Sequence, residues 1–329
     1  MTACKRTMFK RILFTLVVFF GLSLTAQAGE RVVIGISPSL TAALNIIANQ
    51  QGYFSQQGVD AEIRVIDSGG QAVAMMLNDE IDISESTIFS LVSNSFNRRD
   101  FKIYTQVSIS GNDNMIVARK DKGIQKITDL KGKRVGVSKG GFPHYVLDLM
   151  LLNAGVDSKT IHLIVGEIDR LYQMLSSGEL DAACLFGGWI DKATADLKEN
   201  AVLFHDEELV RVTVVHAAKT RTFERSPELF SRILKAYVKA EEYVKKNPAA
   251  ALKTVVEYLK LDMRNAQKVW KPKMFHVALE QSLIKDMENM AQWQIDTGLQ
   301  TSPTIPNYLD FIHFRNLTEV DSKRVTITH

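Results

Sequence analysis

The stretch MLNDEIDIS (Met76–Ser84) comes back in altered form from Met174 as MLSSGELDAA. Each copy reads Met-Leu, a short polar turn, an acid, an aliphatic residue, Asp and a small apolar run. The flanking segments repeat with it. In the first half, RVVIGIS (Arg31–Ser37) reads as a buried β-branched strand. Behind it Leu40, Ala43, Leu44, Ile47 and Ala48 recur at helical spacing. VDAEIRVID alternates as a second strand, SGGQAVAMMLNDE opens on glycine and becomes a helix, and IDISES is a third strand with its exit loop. In the second half the same order restarts with GKRVGVS (Gly132–Ser138). A helix bearing Leu147, Leu151 and Ala154 follows, then TIHLIVGE, IDRLYQMLSSGE and LDAACLF. The repeating unit is thus a whole βαβαβ segment. Its period, about a hundred residues, is too long for a solenoid. It predicts an α/β chain of two similar lobes, each a mostly parallel sheet flanked by helices.

Beyond VLFHDEELVRVTVVHA the chain turns helical. Ser226 and Pro227 suit the N-cap and first position of a helix with Leu229, Ile233, Ala236, Tyr237 and Ala240 on one face. Met287, Met290 and Trp293 read as core packing.

The first 28 residues stand apart. Lys5, Arg6, Lys10 and Arg11 precede the apolar run ILFTLVVFFGLSLT, and Ala26 and Ala28 have the A-x-A spacing of a cleavage site. This is the pattern of a secretory signal, and the apolar run is short for a membrane-spanning helix. A protein exported to the periplasm and starting near Gly29 is expected. The chain has 40 basic and 37 acidic residues; without the four basic residues of the leader the balance is 36 to 37. A neutral chain offers no nucleic-acid surface. Cys4 leaves with the leader, and Cys184, alone in an apolar run, reads as an inert core residue.

No catalytic or metal-binding constellation is present in the sequence: the seven His residues are scattered, and no nucleophile elbow or phosphate loop occurs. Neither metal nor cofactor is expected. The chemistry concentrates at strand exits, where parallel α/β sheets bind ligands against helix N-termini. In the first half the exits carry Ser37, Ser39, Ser68, Gly69, Glu85 and Ser86; in the second, Gly140, Gly141, Phe142, His144, Phe186 and Trp189. Taken singly, the Ser and Gly residues are as well explained by caps and turns. With GEID (Gly166–Asp169) after the strand TIHLIV, six such exits in two lobes point to a binding cleft. Phe186 and Trp189 either clamp an apolar part of a ligand or belong to the core. Glu85 either pairs with a cationic amine or is a solvated loop acid. Arg211 either holds a carboxylate or sulfonate or is a surface residue on a strand. His144 reads as a cap or wall residue.

The segments DSGGQAVAMMLNDEIDIS, ITDLKGKRVGVSKGG and SSGELDAACLFGGW resemble the periplasmic solute-binding proteins of ABC importers, in the branch for nitrate, sulfonates, taurine and thiamine precursors. GNDNMIVARKD resembles that family's first crossing between lobes, which adds Asn114 to the candidates. The resemblance runs from about Arg31 to about Leu259. It implies a type II periplasmic-binding-protein fold whose lobes comprise residues 29–115 with 213–329, and 116–212, hinged near Asn114–Val117 and Arg211–Val215. It implies a monomeric receptor, not an enzyme, which captures a small polar solute of sulfonate, amine or pyrimidine type and hands it to a membrane permease. The family's ligand contacts carry over to Ser37, Ser39, Ser68, Gly69, Glu85, Ser86, Gly140, Gly141, Phe142, His144 and Trp189. SES and FGGW depart from the family's pattern. A ligand sensor and a pyrimidine-precursor synthase are the rival readings, the latter opposed by the lack of a Cys- and His-rich iron site.

Overall fold

The computed structural model describes residues 29–111, 114–206 and 209–328; the expected leader, residues 1–28, lies outside the described residues. Eleven strands are assigned in it: β1 (Glu30–Ile36), β2 (Val59–Val65), β3 (Ile83–Thr87), β4 (Phe101–Ser110), β5 (Asn114–Arg119), β6 (Arg134–Val137), β7 (His162–Val165), β8 (Ala182–Phe186), β9 (Ala201–Phe204), β10 (Val212–Lys219) and β11 (Phe275–Ala278). They form two sheets, ordered β11-β4-β10-β3-β1-β2 and β7-β6-β8-β5-β9. Helices flank both, which is the two-lobed periplasmic-binding-protein architecture.

The sequence repeat has a physical cause. The Asp of each echo clamps the first strand of its own lobe. The Asp82 N–H donates to the Val33 carbonyl, and its carboxylate accepts from the Val33 N–H at 2.9 Å. Asp181 does the same with Arg134, its carboxylate 2.8 Å from the backbone nitrogen. The aliphatic residue just before each Asp fills the matching gap. A Cβ on Gly35 of β1 would meet Ile81 at 2.5 Å, and one on Gly136 of β6 would meet Leu180 at 2.5 Å. Each echo is therefore the joint that seats the third strand of a βαβαβ unit on its first, with glycine leaving room for the aliphatic tip.

Both sheets are mixed: β1 pairs in parallel with β2 and β3 in one and β6 with β7 and β8 in the other, while β10 and β11 in the first and β5 in the second run against their neighbours. β10 lies between β3 and β4, antiparallel to both. This explains a difference from the sequence reading. The sequence reads SES as the exit loop of β3, but Ser84, Glu85 and Ser86 pair with Ala217, His216 and Val215 of β10. A partner strand that arrives late in the sequence extends β3 to Thr87.

The core is largely the apolar faces already counted. Leu44, Ile46 and Ile47 from the Ala43–Gln50 helix pack with Ile233, Ala236 and Tyr237 from the Pro227–Lys246 helix. Ser226 and Pro227 start the latter helix, although the Ser226 side chain makes no cap hydrogen bond. Leu171, Leu175, Leu180 and Ile190 form a smaller cluster in the second lobe.

Candidate functional site

Only residues 111–113 separate β4 from β5, and 205–211 separate β9 from β10. Four residue steps span at most about 14 Å, so Ser110 and Asn114 are neighbours across the gap. The C-terminal ends of β3 and β4 lie at the end of the first sheet where β10 begins. In the second sheet, Phe186 at the end of β8 pairs with Asn114 at the start of β5. Both sets of strand exits therefore lie at the ends of the sheets where the chain crosses from one to the other.

On the first lobe, the 3-10 turn beginning at Leu40 is capped by Ser39, which accepts from the Thr41 N–H at 3.3 Å. Ser37 sits just beyond β1, half-buried. Ser68 caps the Gly69–Leu77 helix, accepting from the Gln71 N–H at 3.2 Å. A Cβ on Gly69 would lie 3.0 Å from the Ser86 Cα, so Gly69 and Ser86 are brought into contact. Ser86, Val215 and Gln106 share one rung of the sheet. Ser108 and Thr213 lie beside it, paired with Val214 and Ile109. The hydroxyls of Ser84, Ser86, Ser108 and Thr213 and the Gln106 amide nitrogen are buried with no hydrogen-bond partner among the described residues. Gln106, Ser108 and Thr213 carry no signal in the sequence; they come together only through β10.

Glu85 is not a loop acid. It stands inside β3 at 0 % exposure. One oxygen accepts from the Asn45 amide at 2.5 Å and lies 3.3 Å from His216 Nε2. The Tyr237 hydroxyl donates to the other end of Asn45 at 2.7 Å. Side chains alternate along a strand, so Glu85 turns away from Ser84 and Ser86 towards the Ala43–Gln50 and Pro227–Lys246 helices.

On the second lobe, Gly141 stands at the N-cap of the Phe142–Asn153 helix. The Gly140 N–H donates to His144 Nδ1 at 3.3 Å. Burial pushes the His144 imidazole below its ordinary range, against the pull of Asp148, which favours this neutral acceptor form. His144 thus holds the loop from within. Phe186 is 40 % exposed beside Asn114, which is buried. Trp189 stacks obliquely on Tyr172, centroids 5.3 Å apart, with Lys192 Nζ 4.2 Å above its ring. Arg211 precedes β10, and its guanidinium is 3.8 Å from Glu280.

The lobes touch through an aromatic contact. Phe142 and Tyr145 of the second lobe meet Phe89 at centroid distances of 6.0 and 6.3 Å. Trp293 packs on Phe89, His144 and Tyr145, and its Nε1–H donates to Asp148 at 3.0 Å. Met287 and Met290 are core residues as their spacing suggests, but Trp293 reaches across to the other lobe.

A family model described as NMT1/THI5 like matches residues 41–251, well over half of the chain. The chain belongs to the NMT1/THI5-like family. Among curated relatives, a putative thiamine biosynthesis protein of Haemophilus influenzae is 25% identical over 312 residues, covering 87% of this chain and 93% of the relative. A putative aliphatic sulfonates-binding protein of Bacillus subtilis is 23% identical over 281 residues, covering 82% of each. The fold matches the alkanesulfonate-binding protein of Xanthomonas axonopodis pv. citri, solved bound to MOPS, with TM-score 0.73 and 17% identity over 87% of this chain and 100% of that one. The NMT1/THI5-like chain thus has the fold of periplasmic solute-binding proteins.

Proposed function

We propose that this chain is the periplasmic solute-binding receptor of an ABC importer, and that it holds a small organic oxyanion of the sulfonate type between its lobes. The observation that carries this reading is the group of unpartnered donors towards the ends of β3, β4 and β10, namely Ser86, Ser108, Thr213 and the Gln106 amide, with Ser84 two rungs further in along β3. A buried donor without a partner costs roughly 1–3 kcal/mol, and an oxyanion supplies the acceptors. The Gly69–Leu77 and Phe142–Asn153 helices begin at strand exits, and helix N-termini present free N–H groups and a positive dipole end. The only carboxylate among the first-lobe candidates, Glu85, is turned away from Ser84 and Ser86 and gives one oxygen to Asn45 and His216, its other oxygen being buried without a partner among the described residues; this placement favours an anion over an amine beside the serines. The relatives named for sulfonates support the same class. Asn114 and Arg211 stand beside the two crossings. There they are proposed to move with a hinge closure that offers the loaded form to a permease. The roles of Ser37, Ser39, Ser68, Gly69, Gly140, Gly141, Phe142, His144, Phe186 and Trp189 are to line or shape the cleft.

Native mass spectrometry of freshly purified protein, then thermal-shift assays with methanesulfonate, taurine, choline and a hydroxymethylpyrimidine, test the reading. A sulfonate at a hundredfold excess over its Kd adds about 2.7 kcal/mol of stability and raises the melting temperature, and Ser86→Val abolishes that rise. Stabilisation by choline or the pyrimidine alone would refute the oxyanion reading.

A further inference from the structure

A cavity of about 340 Å3 opens at the other end of the first lobe's sheet. β10 fixes the distance. It begins at Val212, beside the crossing, and ends at Lys219, seven steps or about 24 Å along an antiparallel ladder. There Lys102 of β4 pairs with Ala218, and Thr220 follows the last residue of the strand. Lys102, Thr220, Phe223, Glu224, His313 and Arg315 line the cavity.

The lining has an apolar and a polar part. Phe223 lies between two nearly parallel rings, Phe230 at 4.0 Å and 27° and His313 at 4.1 Å and 22°. His313 ends this stack at the cavity. Its Nε2 is 2.6 Å from Asn316 Oδ1. Burial outweighs that hydrogen bond and pushes the imidazole below its ordinary range, so the ring is an uncharged flat surface at neutral pH. The polar part is mainly cationic. Lys102 Nζ donates to the Asp310 carbonyl at 2.9 Å and has no ion-pair partner among the described residues. Arg315 commits its Nε to Glu319 at 2.8 Å. The Thr220 hydroxyl is buried and has no hydrogen-bond partner among the described residues. Glu224 is the one acid in the lining, and Glu319 pairs with Arg315 from outside it, which leaves Lys102 as the cation without an ion-pair partner among the described residues.

We propose that this cavity is a second small-molecule site, separate from the cleft, that takes a small planar carboxylate. The carboxylate meets Lys102, Arg315 and the Thr220 hydroxyl, and its flat apolar body lies against the His313–Phe223 stack. Ligand pockets run from about 300 to 1,000 Å3, so a single ring fills this one. Benzoate is the probe. Titrated into the isotopically labelled mature protein, it shifts the backbone amide signals of Lys102, Thr220, Phe223 and His313 at low millimolar concentration and leaves those of Gly69 and Ser86 in place. Lys102→Gln weakens it about tenfold, the size of one charge-assisted hydrogen bond. Thr220→Val weakens it less, and neutral benzamide binds more weakly than benzoate. Both variants keep the sulfonate affinity of the cleft, which also reports that they are folded. The proposal is overturned if benzoate shifts only the cleft residues, if it shifts none, or if both variants bind it as the parent does.

Discussion

At the scale of single residues, the two echo aspartates do the same work in different lobes. Asp181 is held to Arg134 through its backbone and its carboxylate, and it also meets the Arg134 guanidinium at 3.2 Å. Asp181→Ala leaves the Arg134 N–H without its acceptor, and a loss of about 2 kcal/mol is expected in urea unfolding. Glu241 makes the pH dependence explicit. Burial pushes its carboxyl up, but hydrogen bonds from His276, Lys245 and the Val277 N–H, with the charge of Arg324, outweigh burial and hold it at about 2 against an ordinary 4.5. A pKa lower in the folded than in the unfolded state gives stability that is complete above about pH 4.5 and lost as the pH falls towards 2. Urea midpoints measured across that window should fall with pH, and Glu241→Gln should flatten the fall. Cys184 is buried in β8, and burial pushes its thiol up to about 12. It should resist thiol reagents at pH 8 until the chain is unfolded.

At the scale of elements, the Phe142–Asn153 helix couples the lobes. It meets the Ile88–Ser95 helix through Phe89 and the Gln281–Asp296 helix through Trp293. Each such aromatic pair contributes about 0.5–1.5 kcal/mol beyond the area it buries. Trp293→Phe keeps the ring and deletes the hydrogen bond to Asp148, worth about 1 kcal/mol. If closure depends on this contact, the variant binds the sulfonate about fivefold more weakly, as read by calorimetry. An unchanged affinity would place the contact outside the closing motion. The same paired helices could be anticipated from apolar periodicity, but their partners could not, because Phe89, Phe142 and Trp293 are far apart in the chain and each looks like ordinary core in its own segment.

At the scale of the whole molecule, the two lobes are in contact through Phe89, Phe142, Tyr145 and Trp293. The hinge reading therefore predicts that small-angle scattering finds a larger radius of gyration for the unliganded protein in solution and a smaller one once a sulfonate is added. Identical curves in the two states would count against a closing receptor. The distance from the cleft to the Lys102 cavity makes the two binding measurements independent, since sites with no shared residues usually behave additively.

The sequence by itself determined the two-lobe plan, the order of strands and helices, and the strand exits as the place to look. Those follow from apolar periodicity, which acts locally, and from the echo of Met-Leu, turn and Asp about a hundred residues on. It placed Ser68, Gly69 and Ser86 near a common site but could not put Gly69 against Ser86. Only the tertiary structure decided where β3 ends and which way Glu85 faces. The reason is β10, which enters between β3 and β4 about 130 residues after β3. By pairing with SES it turns an expected loop into a ladder, draws Glu85 into a network with Asn45 and His216, and gathers Ser86, Gln106, Ser108 and Thr213 on neighbouring rungs. A strand's pairing partner is a long-range choice, and no local pattern in MLNDEIDIS encodes it.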